Sequence, residues 1–184
     1  LEDLIKKSIS ILPVKIEKPI ELKNTIVEFF EQRLSIFLAD TYKKDIIEAC
    51  LRGQNVLADL SDFAKRVQIV TDKICNDEFV VMVECANRVA KILKQNVDIA
   101  INEQLFVLDA EKDLYSAIKS LNEYKNDYES YITSLVAINS NVKKFFDDVL
   151  VMDKDEKIKN NRLSMLTLLN KKYSKLADFS LLQV

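Results

Sequence analysis

The stretch EKIKNNRLSMLTLLNKKYSKL, residues 156–176, decides the fold class. At about 100° per residue, its apolar side chains fall on one face of a helix. These core candidates are Ile158, Met165, Leu166, Leu169, Tyr173 and Leu176. Asp153 and Glu156, three residues apart, form an N-cap signature in front of them. The pattern predicts a final amphipathic helix that ends near Leu176 and buries one face in a core.

The same three- and four-residue spacing of apolar residues recurs along the rest of the chain. The further predicted helices cover residues 1–10, 19–39, 45–51, 60–74, 77–93, 102–121, 125–138 and 141–149. We expect Asn76 to cap the helix that follows it, and the helices on either side of it to pack as an antiparallel pair. The fold class is therefore all-α, a bundle of about seven to eight helices around one core.

Proline and glycine punctuate this pattern at few positions. Pro13 and Pro19 bracket residues 11–18, and because proline disfavours helix at the preceding residue, this stretch is interpreted as an extended linker. Residues 1–18 are thus a short helix and linker from a preceding domain, and residues 19–184 form the helical domain. We expect Gly53, the only glycine, to close the helix over 45–51 in a left-handed C-cap.

Composition excludes several classes of protein. The 184 residues are 48% apolar and 30% charged, with 27 basic against 29 acidic residues, which is typical of one globular domain. One glycine and two prolines disfavour β architectures and glycine-rich phosphate loops. The absence of histidine removes the commonest general base and metal ligand, so we expect no catalytic residue.

The cysteines and the acidic pairs predict neither a disulfide framework nor a metal site. Cys50, Cys75 and Cys85 are odd in number and form no CxxC pair, so we expect them to be reduced and buried, in a cytoplasmic protein. No apolar run is as long as a membrane-spanning helix, and no signal-peptide pattern opens the sequence. The chain begins at Leu1 without Met, which suggests a fragment of a longer protein. The acidic pairs Asp147–Asp148 and Asp153–Asp155 lack a calcium-loop pattern, so no metal is assigned.

Several bulky side chains interrupt or extend the apolar stripes. Arg33 and Arg162 fall within stripes, so we expect both to be partly buried, either in internal ion pairs or reaching a phosphate or base edge. Phe145 and Phe146 are expected in the core, with base stacking as the alternative. Four tyrosines are expected to pack between helices with hydroxyls that reach solvent: Tyr115, Tyr124, Tyr128 and Tyr131.

The last helix also has a basic face, the best anion-binding candidate in the chain. No acidic residue lies between Glu156 and Asp178, so this face is positive over about five turns. The alternative is a solvated lysine-rich helix. Arg66 and Arg88 lie at the borders of apolar stripes. At such a position the aliphatic part of an arginine can pack on the core while its guanidinium faces solvent. The basic face comprises Lys157, Asn161, Ser164, Lys171 and Lys175, with Lys172 beside it.

Three segments near the end of the sequence carry a more specific signal: FFDDVLVM at 145–152, NRL at 161–163 and ADFSLLQ at 177–183. Together they resemble the C-terminal region of the beta subunit family of bacterial glycyl-tRNA synthetases. Upstream, FFEQRL at 29–34, IEACL at 47–51, RV at 66–67 and NRVAKIL at 87–93 are similar to the same family in the same order. Residues 1–18 match only as a linker.

The resemblance implies a DALR-type anticodon-binding domain, as in arginyl-tRNA synthetase. The implied partners are the tRNA for glycine, the synthetase alpha subunit and the rest of the beta subunit, with no membrane and no DNA. ATP, magnesium and glycine would be handled in the alpha subunit, so this fragment would hold no cofactor. The alternative is a bundle that docks within the synthetase and has little RNA affinity. The candidate RNA-binding residues are Lys157, Asn161, Arg162, Lys171, Lys172, Lys175, Arg66 and Arg88.

Overall fold

The structure is a computed structural model that describes residues 2–13, 17–53, 56, 59–93, 97, 99–121, 124 and 127–184. Within these ranges the regular structure is helical and no β-strand occurs, which confirms the all-α prediction. None of the described helices is long and apolar enough to cross a membrane. The helices are α1 (Glu2–Ser10), α2 (Pro19–Leu38), α3 (Lys44–Gly53), α4 (Leu60–Lys73), α5 (Asp77–Ile92), α6 (Asp109–Ser120), α7 (Tyr128–Ala137), α8 (Asn139–Asp148) and α9 (Glu156–Tyr173), with short 3₁₀ turns at Glu103–Leu105 and Phe179–Leu181.

Side-chain caps define where several helices begin. The Asn76 side chain accepts a hydrogen bond from the Phe79 backbone N–H at 3.0 Å, which confirms the predicted cap of α5. The cap of α9 is Asp155, which accepts from the backbone N–H groups of Lys157 and Ile158, and the prediction of Asp153 is wrong. The reason is that the carboxylate of Asp153 accepts from the Asp155 N–H and pairs with an arginine further along α9.

The helix predicted over 102–121 starts later than expected, at Asp109. Asn102 instead caps the short turn Glu103–Leu105 by accepting from the Gln104 N–H at 3.0 Å. The Glu111 carboxylate accepts from the N–H groups of Val107 and Leu108, and these bonds hold the chain extended before the helix. The predicted starting point of α7, Lys125, and positions 14–16 of the predicted linker lie outside the described residues.

Gly53 ends α3, and it does so without a left-handed backbone, so the predicted C-cap is wrong. The glycine is needed for close packing. A Cβ on Gly53 would lie 2.9 Å from the Cα of Ala177 and 3.0 Å from the carbonyl oxygen of Ser174. The C-terminal end of α3 therefore packs directly against the backbone that follows α9.

One apolar core joins α3 to α9, as predicted. The expected antiparallel pairing of α4 with α5 is wrong, because α4 packs mainly on α3 and α7 while α5 packs mainly on α7, α8, α9 and the turn Phe179–Leu181. Phe145 and Phe146 are both buried, which confirms the core interpretation. The largest apolar side chains at the centre include Phe63, Phe79, Met82, Leu114, Tyr131 and Tyr173.

The helix α2 lies outside this core, contrary to the prediction for its apolar stripe. It contains no buried residue and packs on α1 and α3. Phe29 and Phe37 are 50% and 77% exposed. Arg33 is exposed as well, with its guanidinium 5.1 Å from the Phe29 ring centroid. The expected burial of Arg33 is wrong because Arg33 lies on the exposed side of α2 with Phe29 and Phe37, whereas Leu34 and Leu38 pack against the core.

The three cysteines are free, and two of them are buried as expected. Cys50 lies in α3 and Cys85 in α5, both within the core. Cys75 is exposed because it lies in the short turn between α4 and α5. The prediction of a buried thiol is therefore wrong at this position.

Candidate functional site

Arg162 is buried, as the apolar stripe of α9 predicts, and it makes an internal ion pair. It is 3% exposed, and its Nε donates to Oε1 of the fully buried Glu111 at 2.8 Å. Its Nη1 donates to the Leu150 carbonyl oxygen at 2.9 Å and to Oδ2 of Asp153 at 2.7 Å. Burial by itself lowers the pKa of Arg162, but the hydrogen bond and charge of Glu111 raise it above its ordinary value. A guanidinium enclosed in this way cannot reach a phosphate. Arg162 is therefore not retained as a candidate RNA-binding residue.

Arg66 is also fully buried. Its position at the border of an apolar stripe predicts instead that the guanidinium is exposed to solvent. Its Nε donates to Asp62 Oδ2 at 2.7 Å. Its Nη1 donates to the carbonyl oxygens of Cys50 and Leu176, at 2.8 and 2.9 Å. These carbonyls belong to the C-terminal ends of α3 and the α9 region, where backbone acceptors lack helical partners. Arg66 therefore joins three segments of the core and is not available to RNA.

Tyrosine hydroxyls complete the polar network around Asp62. Tyr124 and Tyr128 each donate to Asp62 Oδ1 at 2.7 Å. The Tyr131 hydroxyl donates to the carbonyl oxygen of Lys172 at 2.9 Å. The prediction that these hydroxyls reach solvent is wrong for all three, because each donates to a part-buried acceptor within the fold. Burial alone would raise the pKa of Asp62, but the hydrogen bonds from Tyr124, Tyr128 and Arg66 outweigh it and hold the pKa below its ordinary value.

The middle of the predicted basic face on α9 is covered. The Asn161 amide, 4% exposed, accepts from the Asn102 N–H at 2.8 Å and donates to the Asn102 carbonyl at 3.1 Å. Thr167 Oγ1 accepts from the Val97 N–H at 3.2 Å. Ser164 is buried and donates to the Asn160 carbonyl oxygen at 2.8 Å. Asn161 is therefore a structural residue, and the expected continuous face is divided into two parts.

The two remaining parts of that face lie at opposite ends of α9. Lys157 is exposed at the first turn. Lys171 and Lys172 lie in the last turn and Lys175 follows the end of the helix; Lys171 is exposed and the other two are half-buried. At a rise of 1.5 Å per residue, the ends are about 21 Å apart. A ligand that contacts both must be an extended polyanion.

Arg88 has the arrangement that its position predicts. Its stem follows the core, and its guanidinium lies 4.5 Å from the ring centroid of Phe146. The side chain is 53% exposed, and its head also lies 3.9 Å from the Asp147 carboxylate. Arg88 remains accessible, but its charge is partly compensated by Asp147.

A cleft of about 170 Å³ opens beside the lysines at the end of α9. It lies between the C-terminal ends of α3, α5 and α9 and the turn Phe179–Leu181, and we call it the α9 cleft. Its principal lining residues are Arg52, Ala90, Asn170, Ser174, Asp178 and Phe179. Lys91, Lys171 and Lys175 each follow a lining residue by one position, which places them beside the cleft.

Arg52 separates the α9 cleft from a second cleft of about 390 Å³ between α2 and α3. The second cleft is lined by the carboxylates of Glu28, Glu31 and Glu48. Burial raises the pKa of Glu31, and Glu28 raises it further, against an opposing effect of Arg52. Three carboxylates repel a phosphate, so the electrostatics at Arg52 favour an anion on the α9 side over the α2 side. No group of three or more potential metal-ligating side chains occurs in the part of the chain that the structure describes.

Similarity to known proteins covers nearly the whole chain. It is 31% identical over 186 residues to the glycine–tRNA ligase beta subunit of Trichlorobacter lovleyi, a match that includes 97% of this chain. It is 32% identical over 194 residues to that of Alteromonas mediterranea and 33% identical over 158 residues to that of Aquifex aeolicus, covering 99% and 84% of this chain. Its homologues are glycine–tRNA ligase beta subunits.

The chain spans about a quarter of the length of these beta subunits, between 23% and 28%, and matches their C-terminal part. The resemblance to the beta subunit family that the sequence motifs indicate is thus confirmed at the level of homology. No family model matches the chain. The DALR-type assignment therefore stays a prediction.

Sequence reasoning missed Arg52, Lys91, Asn170 and Asp178 as members of the site. A signal was present, since Arg52 adjoins the only glycine in the chain. A lone glycine at a helix end indicates either a left-handed turn or a close backbone approach. The second reading, with Ala177 as the neighbour, brings Arg52 to the end of α9.

Proposed function

We propose that this chain is the tRNA-binding, anticodon-recognition domain of a glycine–tRNA ligase beta subunit and supports the attachment of glycine to its tRNA. The observation that carries the proposal is the similarity to beta subunits over 97 to 99% of the chain. The proposed fold type is the DALR type. Its partners are the tRNA for glycine, the alpha subunit and the rest of the beta subunit, and it acts in the cytoplasm. The chain itself supplies recognition, while ATP, magnesium and glycine are bound in the alpha subunit.

The basic cluster beside the α9 cleft is the proposed contact with the anticodon arm. Lys91, Lys171 and Lys175 surround a cleft that Arg52 lines, and Lys172 adjoins them on α9. Lysine side chains are point charges that suit phosphate oxygens, which fix the orientation of the RNA without reading its sequence. Lys157, about 21 Å away along α9, contacts a second stretch of backbone. Arg88 is a weaker contact, because Asp147 lies beside it.

Titration of a labelled anticodon stem-loop of the tRNA for glycine tests this proposal. Fluorescence anisotropy at several salt concentrations gives the affinity and its salt dependence. Each phosphate contact adds about 0.7 to the slope of log K against log salt for single-stranded RNA. The pair Lys171→Ala and Lys175→Ala should weaken binding and lower that slope by about 1.4.

A matched control is the pair Lys7→Ala and Lys65→Ala, which removes the same charge from exposed positions on α1 and α4 that include none of the proposed contacts. This control should leave the affinity within about twofold of the unmodified chain, because distant exposed charges are screened beyond about 10 Å at 0.1 M salt. Equal losses in both pairs would mean that binding follows total charge, and the location at the end of α9 would be wrong.

Docking within the synthetase is a second candidate function, favoured by the exposed face of α2. Phe29, Ile36 and Phe37 are 50%, 64% and 77% exposed on this helix. Exposed apolar residues grouped on one element are typical of an interaction surface. Because the relatives are about four times as long as this chain, the proposed occupant is another part of the beta subunit. Absence of stem-loop binding at low salt would favour docking over RNA binding.

A further inference from the structure

We infer that the α9 cleft binds one unstacked cytosine of the anticodon loop, with Asp178 and Asn170 reading the edge of the base. The inference rests on the proposed function and deepens it, since it assigns base recognition to particular side chains. It depends on four features of the cleft: its size, its walls, its unpaired polar groups and the charges beside it.

The size of the cleft suits one small ring. Its volume of about 170 Å³ is well below the roughly 300 to 1,000 Å³ typical of pockets for drug-sized ligands. At about 30 Å³ per water molecule, it corresponds to five or six waters. A single pyrimidine base fits this space, whereas a whole nucleotide does not. Sequence-specific RNA recognition commonly takes individual loop bases out of their stack in this way.

The walls of the cleft are mainly polar, and small and aromatic side chains complete them. Ala86, Ala90 and Ala177 contribute small side chains, so the space between α5 and the residues after α9 stays open. Tyr173 and Phe179 line it as well, in edge-to-face contact with ring centroids 6.1 Å apart. Tyr173 and Phe179 are 1% and 2% exposed, so they present little ring surface to a base, and recognition falls to the polar groups of the walls.

Asp178 presents a fixed carboxylate in this setting. Its Oδ1 accepts from the N–H and the hydroxyl of Ser180, at 3.1 and 2.6 Å, and its own backbone N–H donates to the Ala49 carbonyl at 2.8 Å. These bonds set the position of the side chain. Oδ2 has no hydrogen-bond donor among the described residues, so it is able to accept one from a ligand.

Asn170 supplies the complementary donor. Its backbone carbonyl accepts from Ser174, but its side-chain amide has no partner within the described residues. Cytosine offers an amino group that donates to a carboxylate, next to ring and carbonyl acceptors that receive an amide N–H. Uracil places a carbonyl oxygen where the amino group of cytosine lies, which opposes the charge of Asp178. The polar groups therefore select cytosine over uracil.

Positive charge beside the cleft holds the flanking phosphates. Arg52 lines it, and Lys171 and Lys175 lie one position from the lining residues Asn170 and Ser174. A negative carboxylate is tolerable next to RNA because Arg52 lines the same cleft and the two lysines adjoin its lining residues in sequence. The arrangement assigns separate roles, with cations for the backbone and Asp178 with Asn170 for the base.

Two substitutions test the assignment by different routes. Asp178→Asn removes the carboxylate but keeps a side chain that caps the turn Phe179–Leu181 equally well. Ala90→Leu fills the cleft from α5 without touching Asp178. Their matched controls are Asp113→Asn on α6 and Ala137→Leu at the end of α7, both at exposed positions. Thermal unfolding followed by circular dichroism verifies that each variant is folded.

The measurement is the ratio of affinities for two stem-loops, one with the anticodon cytosines and one with uracil in their place. The unmodified chain should prefer cytosine by about tenfold. Asp178→Asn should bring the cytosine-to-uracil affinity ratio close to one. The ratio is compared, and not a single affinity, because the loss of a negative charge strengthens binding to either stem-loop. Ala90→Leu should lower the affinity for the cytosine loop to that of the uracil loop, with an unchanged salt slope.

The outcomes separate this inference from the proposed function. Salt-dependent binding with the same cytosine preference in both cleft variants would overturn the inference and leave tRNA binding in place. Binding without preference for cytosine in the unmodified chain would also overturn it. Absence of binding to either stem-loop at low salt would overturn both. Loss of preference in Asp178→Asn and Ala90→Leu, but not in Asp113→Asn and Ala137→Leu, supports it.

Discussion

Gly53 and Ala177 meet backbone to backbone, and a Cβ on Gly53 would lie only 2.9 Å from the Cα of Ala177. The contact joins the end of α3 to the residues after α9, and it positions Arg52 beside the α9 cleft. Because both sides of the contact are main chain, neither can move aside without displacing a helix.

Gly53→Ala should therefore destabilise the chain. Overpacking of a tight contact costs about 1 to 3 kcal/mol, whereas alanine gains at most about 1 kcal/mol over glycine in a helix. We expect a lower midpoint in urea unfolding followed by circular dichroism. Lys65→Ala, an exposed helical substitution, serves as the control. A midpoint for Gly53→Ala at or above that of the unmodified chain would show that the backbone contact is looser than described.

The Arg162–Glu111 ion pair should be important for stability. Arg162→Ala leaves the fully buried Glu111 carboxylate without its cation, and breaking a buried pair in this way costs about 3 to 5 kcal/mol. Adding Glu111→Gln removes the unpaired charge while keeping an oxygen for the N–H groups of Val107 and Leu108. The double variant should therefore recover part of the loss.

The control for that pair is the exposed ion pair between Lys112 and Asp109 on α6. Its removal by Lys112→Ala should have no measurable effect on the free energy of unfolding, because exposed pairs are well solvated. Urea titration gives the unfolding free energy of each variant. Equal losses for the buried and the exposed pair would contradict the assignment of Arg162 to the core.

The network around Asp62 predicts an acid-dependent contribution to stability. Since the pKa of Asp62 in the folded chain lies below its unfolded value of about 3.9, its contribution is present above that pH. It is lost as the pH falls through the folded pKa. Tyr128→Phe removes one hydrogen bond to the carboxylate and should cost about 1.5 to 3 kcal/mol at pH 7.

The difference between Tyr128→Phe and the unmodified chain should shrink below about pH 4, because a protonated Asp62 gains less from the tyrosine. Comparing variants at each pH cancels the contributions of the other carboxylates. Tyr115→Phe is the matched control, since it removes a hydroxyl on α6 and leaves Asp62 unchanged. A difference that stays constant from pH 7 to pH 3 would rule out an ionised Asp62 as the acceptor.

The cysteines should differ in reactivity. Cys75 is exposed, whereas Cys50 and Cys85 are buried. Burial raises the pKa of the Cys50 thiol to about 12 and also raises that of Cys85, so few thiolates form at either position. We expect one thiol per chain to react quickly with Ellman's reagent, and all three after unfolding in guanidinium chloride. Cys75→Ser should abolish the fast reaction, and a persistent fast phase would place a second thiol at the surface.

Apolar spacing predicted the helices well because it follows directly from helical geometry. It did not predict which stripes are buried, since a stripe such as that of α2 has the same pattern whether or not another element covers it. One partner of Arg162 lies 51 residues away and one partner of Arg66 lies 110 residues away. Such pairings are products of the tertiary fold, and local spacing contains no information on them.

The candidate site was predictable only in part, for a related reason. The lysines at both ends of α9 were found because charge and exposure go together on a helix. Asn161 and Ser164 share their helical face but are buried, and Asn161 is bonded to Asn102. Arg52 and Asp178 are distant in sequence, and the contact of Gly53 with Ala177 brings them to one cleft.

The closure of α3 by residues 176–183 has a consequence during protein synthesis. The Asp178 N–H donates to the Ala49 carbonyl, and the Gln183 N–H donates to Asp45 across 138 residues of sequence. When α3 leaves the ribosome, one of the segments that cover it, the turn Phe179–Leu181, has not yet been translated. Contacts this distant in sequence form late and slow folding. Until residues 176–183 emerge, α3 is covered by α2 and α4 alone, and its remaining apolar surface is open to chaperones that bind at the ribosomal exit.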